Sequence, residues 1–148
     1  MKTRLLPPKY LNLLLLIAVG LHFVIPVKRI ISPSISYVGV ALILLGVIVN
    51  VWSGNTLRRN NTTIDFNHIP KQLVTDGPFR FSRNPIYLSG VILSLGVTIA
   101  LGSLIISIYL IALFVILNWI YIPFEEGRLE NEFGQNYHDY KQSVRRWI

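Results

Sequence analysis

Residues 84–124 read NPIYLSGVILSLGVTIALGSLIISIYLIALFVILNWIYIPF, and no charged side chain occurs between Arg83 and Glu125. At 1.5 Å rise per residue the run would make a helix roughly 60 Å long, about twice the hydrocarbon core of a bilayer. The stretch must therefore fold back on itself. Leu101-Gly102-Ser103 is the natural turn, because glycine accepts the left-handed backbone that closes a helix. Residues 85–101 and 103–122 then form a hairpin that returns the chain to the membrane face it left.

Working outward, two further apolar segments, residues 10–27 and 34–52, precede this hairpin. With 52% hydrophobic and 14% charged residues over 148 positions, the chain is too apolar for an ordinary soluble domain. The expected fold is all-α: an integral membrane bundle of four transmembrane helices forming one domain. The opening stretch resembles a signal peptide in Lys2, Arg4 and Leu11 to Val19, but no small-x-small cleavage site follows, so a retained first span is expected. There is no cysteine, which excludes disulfides, thiolate metal sites and a cysteine nucleophile.

The net charge of +7 is clustered in short segments beside the apolar runs, a pattern of membrane orientation rather than of nucleic-acid binding. Four spans place the N-terminal tail, the 53–84 loop and the C-terminal segment on one side, leaving only Lys28 and Arg29 on the other. The excess of Lys and Arg marks the first side, with both termini, as cytoplasmic. All seven acidic residues fall there too. The 53–84 loop, with turn signals at Gly54-Asn55, Asn60-Asn61 and Asp76-Gly77-Pro78, is expected to cap the cytoplasmic face. Residues 123–148 read as a helix to Phe133, a stop at Gly134, and a second helix whose Tyr137, Tyr140, Val144 and Trp147 suit the membrane interface.

Two constellations have chemical potential. Gly77 to Tyr87 holds Pro85 at the start of a membrane helix beside Arg83 and aromatics. Exposed N–H groups there suit an anionic or aromatic ligand, although aromatic-belt and snorkelling roles account for each residue singly. Glu125-Glu126 sits where the last span leaves the membrane; carboxylates facing protein there are costly, and a cation offsets that cost. The folded hairpin brings both groups to one membrane face. His22, His68 and His138 are weak signals, and no metal-ligand spacing, P-loop, catalytic serine set or strand-borne glycine motif is present.

The ordered set Leu73 to Arg80, Ser82 to Tyr87, Glu125-Glu126-Gly127-Arg128-Leu129, Phe133-Gly134, Tyr137, Tyr140 and Val144 to Trp147 resembles the core of the isoprenylcysteine carboxyl methyltransferase and phospholipid methyltransferase family, over residues 63–148. The resemblance implies S-adenosylmethionine bound on the cytosolic side under a cap, with contacts from Lys71, Gln72, Leu73, Val74, Gly77, Phe79, Asn84, Pro85, Ile86 and Tyr87. It implies Glu125 at the cofactor's amino group, Glu126 in support, and Arg83 with them as the catalytic group. Asn84 stands where many members have histidine. Tyr121, the implied substrate-side residue, stands where the isoprenylcysteine enzymes place an arginine for the substrate carboxylate, which argues against prenylcysteine itself. The implied partners are the bilayer and a lipophilic methyl acceptor, with no metal and no nucleic acid. A reductase resembling the sterol reductases, using NADPH, and a non-catalytic membrane scaffold are the competing readings.

Overall fold

The computed structural model describes residues 9–25, 29, 31–62 and 70–148. Lys2, Arg4, Pro26, Val27, Lys28, Asp65 and His68, which entered the expectations above, lie outside them. Among the described residues every regular element is helical: α1 Lys9–Val24, α2 Ser36–Arg59, α3 Pro85–Leu101, α4 Leu104–Ile116, α5 Ile122–Phe133 and α6 Gln135–Ser143. Short 3-10 turns at Pro33–Ile35 and Gly77–Arg80 precede α2 and α3.

The side chains are distributed inside out. Ser53, Ser82, Ser89, Ser94 and Ser103 are essentially inaccessible, whereas Leu16, Phe23, Tyr37, Ile111 and Trp119 are each more than 60% exposed. In water that apolar belt would be very costly; against lipid it is the low-energy arrangement, and the inward hydroxyls bond to backbone within the bundle. Two helical stretches, Ser36–Arg59 and Leu104–Phe133, are long and apolar enough to cross a membrane, while α1 and α3 are apolar but shorter.

The hairpin turns where its glycine demands. Gly102 adopts φ +61 and its N–H bonds to the Thr98 carbonyl at 2.8 Å. Ser103 then caps α4, its side chain accepting from the Ile106 N–H at 3.4 Å. Arg29 closes the same end, donating to the Ala100 carbonyl at 2.8 Å and to Ser36. The tightest helix pair is α2 against α3. A Cβ on Gly96 would lie 2.7 Å from both the Gly39 carbonyl oxygen and the Ile43 nitrogen, so small residues bring two backbones into contact. Gly46 is pressed on Leu93 in the same way, whereas Gly90 meets nothing within 4 Å.

Three features depart from the sequence expectations. First, α2 runs through Gly54-Asn55 to Arg59 instead of ending near Trp52. Ser53 and Thr56 donate to the Val49 and Trp52 carbonyls at 2.7 and 3.0 Å, which absorbs their hydroxyls without breaking the helix. Second, no break separates the last span from the C-terminal helix: α4 passes into α5 through a π-helical stretch, Leu117–Tyr121. Pro123 lacks an N–H and its ring would strike the carbonyl four residues back, and the wider turn makes room for it. Third, α6 ends at Ser143 and Val144 is extended. Tyr137 and Tyr140 are buried in protein, so that stripe does not face the membrane interface. Helical spacing identified a buried face but not what buries it.

Candidate functional site

A chamber of about 890 Å³ opens between α1, α2, α3 and α4 and is roofed by the loop before α3 and by α5, a size typical of small-molecule sites. Of the residues singled out from sequence, Gln72, Leu73, Val74, Phe79, Arg83, Asn84, Pro85, Ile86, Tyr87 and Glu125 all line it. The corner at Asn84-Pro85 and the Glu125 carboxylate thus share one cavity, as the folded hairpin requires. Lys71, Gly77, Tyr121 and Glu126 stand outside its wall. Lys71 is exposed, and Tyr121 packs in the apolar cluster of Leu11, Leu113 and Leu117. Gly77, at φ +55, lies so close to α2 that a Cβ would meet Thr56 Oγ1 at 2.8 Å.

The roof is tied down by side chains placed for the purpose. Gln72 donates to the Asn60 carbonyl at 2.6 Å, and the Asn60 amide donates to Asp76 at 3.2 Å. Tyr140 donates to the Phe79 carbonyl at 2.7 Å; burial pushes its phenol above the usual range, which keeps it a neutral donor.

Glu125 and Glu126 are neighbours in sequence and face opposite ways. Adjacent residues on a helix diverge by about 100°, so one points into the chamber and the other into the protein. Glu125 accepts a hydrogen bond from Tyr87 on the chamber wall. Burial from bulk water holds its carboxyl above the ordinary carboxylate range; Tyr87 and Arg128 oppose that shift and Glu126 adds to it. Glu126, 4% exposed, receives Arg83 Nη2 on Oε1 and Arg146 Nη2 on Oε2, both at 2.8 Å. The cation that offsets its burial is therefore supplied by the protein.

Arg83 reaches the chamber wall, but its guanidinium is spent on structure. Besides Glu126 it donates through Nη1 to the Lys141 and Val144 carbonyls at 2.9 and 2.6 Å. Its backbone N–H meets the Arg145 carbonyl at 3.0 Å, and Ser82 and the Asn84 amide both donate to the Arg146 carbonyl, at 3.3 and 3.1 Å. Trp147 extends this strap, donating to Asn118 Oδ1 at 3.0 Å and stacking on Phe114. Asn84 is thus held by the tail rather than acting as a side-chain cap for α3.

Several chamber residues were not anticipated. Asn12, Asn50, Ser89, Ser94 and Tyr109 also line it, from within the apolar helices. Their only signal in the sequence is polarity inside hydrophobic runs, which in a membrane marks either helix packing or a site. Among the described residues no His, Asp or Glu cluster has the makings of a metal site.

The belt, the buried hydroxyls and the roofed chamber define an integral membrane helical protein built around a small-molecule cavity. The family model for phospholipid methyltransferases matches residues 35–136, and the chain belongs to that family. Two proteins of Oryza sativa, from subspecies indica and japonica, each bear the name "Probable protein-S-isoprenylcysteine O-methyltransferase" and are 28% identical over 116 residues, covering 74% of this chain and 59% of their own length. A 39% identical stretch of 62 residues, 42% of this chain, spans 98% of an uncharacterized protein of Haemophilus influenzae. The solved structure of a eukaryotic intramembrane Ras methyltransferase, isoprenylcysteine carboxyl methyltransferase, superposes with a TM-score of 0.69 at 26% identity, covering 95% of this chain and 52% of that one. The chain therefore spans just over half the length of the rice relatives and of that solved structure.

Proposed function

We propose that this protein transfers a methyl group from S-adenosylmethionine to a lipid-like or membrane-partitioned acceptor bearing a carboxylate, amine or thiol. The observation that carries the reading is the single chamber shared by the Asn84-Pro85 corner and the Glu125 carboxylate. In this reading the bundle crosses the membrane four times with both termini cytoplasmic, and the loop before α3 and the C-terminal helices cap the cytoplasmic end.

The residues present suit such a cofactor. Glu125 offers a carboxylate to its amino group, with Tyr87 fixing the carboxylate's orientation. Phe79, Tyr87 and Tyr140 supply aromatic surface for a cationic nucleoside, and Gln72, Leu73 and Val74 form the roof above it. When bound, the sulfonium supplies an already activated methyl group. The protein's own work is then to exclude water and hold the acceptor in line. Arg83, Glu126 and the tail act at one remove, by fixing the corner from which Asn84, Pro85 and Tyr87 project.

Calorimetry of the purified chain in lipid nanodiscs with S-adenosylmethionine tests the reading. Binding that is lost in Glu125→Gln supports it. No binding in lipid or in detergent would overturn it and leave a scaffold or a reductase, which NADPH oxidation would separate.

A further inference from the structure

Among the polar residues that the apolar helices contribute to the chamber wall, one side chain has an orientation fixed by its neighbour. Asn50 lies between Val49 and Val51 on α2, is exposed, and lines the cavity. The oxygen and nitrogen of a carboxamide are distinguished by the bonds they make. Ser89 has one hydroxyl hydrogen, and its Oγ lies 2.6 Å from the Ile86 carbonyl, which can only accept. That hydrogen is spent. Ser89 Oγ can then only accept from Asn50, so the Asn50 atom 2.9 Å away is the NH2 group. The carbonyl oxygen is turned from Ser89, and no described residue donates to it. Because Asn50 is exposed on the chamber wall, its amide oxygen is available there to a ligand that donates a hydrogen bond.

We infer that Asn50, locked by Ser89, selects a methyl acceptor presenting an N–H or O–H donor over one presenting a carboxylate. The inference rests on the methyltransferase reading and deepens it. A carboxylate acceptor would set its lone pairs against that of the Asn50 oxygen, where an N–H or O–H group would donate to it. Of donor-bearing acceptors, an amine arrives as an ammonium ion and must first release a proton, which water at the chamber mouth accepts. The neutral nitrogen's lone pair then forms the N–C bond as the S–C bond breaks, the sulfonium becomes a thioether, and the product nitrogen retains the positive charge.

The test uses the full chain in nanodiscs, with labelled S-adenosylmethionine and either dodecylamine or dodecanoate as probe. Cofactor affinity is measured first, and thermal unfolding is compared for each variant. The wild type is expected to methylate the amine in preference to the carboxylate. Asn50→Leu is expected to raise KM for dodecylamine roughly tenfold or less, the net worth of one hydrogen bond, with cofactor affinity unchanged. Ser89→Ala, which frees the amide to rotate, raises KM by a smaller factor. A wild type that binds cofactor yet prefers dodecanoate, or uses neither probe, overturns the inference. So does an unchanged KM in both Asn50→Leu and Ser89→Ala. Failure to bind cofactor at all sinks the methyltransferase reading itself.

Discussion

Arg83 and Glu126 meet at 2.8 Å with 8% and 6% of their side chains exposed, forty-three positions apart and flanking the uncharged hairpin in sequence. The pair joins the start of α3 to the start of α5, the two elements that present Asn84 and Glu125 to the chamber. Because the contact is buried, removing one partner strands the other. Glu126→Leu is expected to destabilise the protein by about 3–5 kcal/mol, and Arg83→Met with Glu126→Leu to recover part of that loss. Arg146, with 35% of its side chain exposed, is expected to matter less, at about 1 kcal/mol or below. Thermal unfolding of Glu126→Leu, Arg83→Met and the double variant in one detergent checks the sign of the coupling.

Glu125 carries the pH dependence. Its carboxyl is held above the ordinary range, chiefly by burial, so in the free protein the fold favours the protonated form. Stability from this group is then present at low pH and lost as pH rises past the unfolded value towards the raised one. A cationic ligand needs the ionised form, so its affinity should fall as pH drops through the raised value. Glu125→Gln should unfold at a higher temperature than the wild type in mildly alkaline buffer without cofactor. The same variant should bind S-adenosylmethionine roughly 10- to 100-fold more weakly there, with a flattened pH profile. Calorimetry across pH for both proteins measures each effect.

Backbone contact between α2 and α3 gives a prediction with an internal control. A side chain at Gly96 would meet backbone atoms of Gly39 and Ile43 at 2.7 Å, and backbone cannot step aside. Gly96→Val should therefore cost about 1–3 kcal/mol or more by forcing the helices apart. Gly90, with nothing within 4 Å of an added Cβ, should accept Ala with no loss of thermal stability. Equal losses at both positions would mean that these helices do not pack as described.

What the sequence disclosed here followed from strong local terms. Gly102 and Gly134 both take positive φ, and the uncharged run allowed no outcome but a hairpin. Less was legible where several partners satisfy one pattern. Tyr137 and Tyr140 have the spacing of a buried stripe whether protein or lipid covers it. Glu125 and Glu126 had to diverge, but which one faced the chamber depended on the approach of Arg83 and Arg146, residues distant in the chain. Asn50 looked like one polar residue in an apolar helix until Ser89 fixed its direction.

The tail offers the sharpest separation of positioning from contact. Trp147 does not line the chamber, yet its indole N–H on Asn118 and its stack on Phe114 anchor the strand to which Ser82, Arg83 and Asn84 are bonded. Trp147→Ala removes the anchor and leaves every chamber-lining residue unsubstituted, although Trp147 also packs on the apolar cluster that contributes Leu11, Leu113 and Leu117 to the chamber wall. If the strap positions the corner, exchange of the Arg83 amide hydrogen, now bonded to the Arg145 carbonyl, should quicken and cofactor affinity should fall roughly tenfold or less, as for the loss of one or two hydrogen bonds. Trp147→Phe, which keeps the stack and loses the N–H, should lie between. Faster exchange with unchanged affinity would show that the corner holds its shape by the Arg83–Glu126 pair alone. Unchanged exchange would remove the strap from the account altogether.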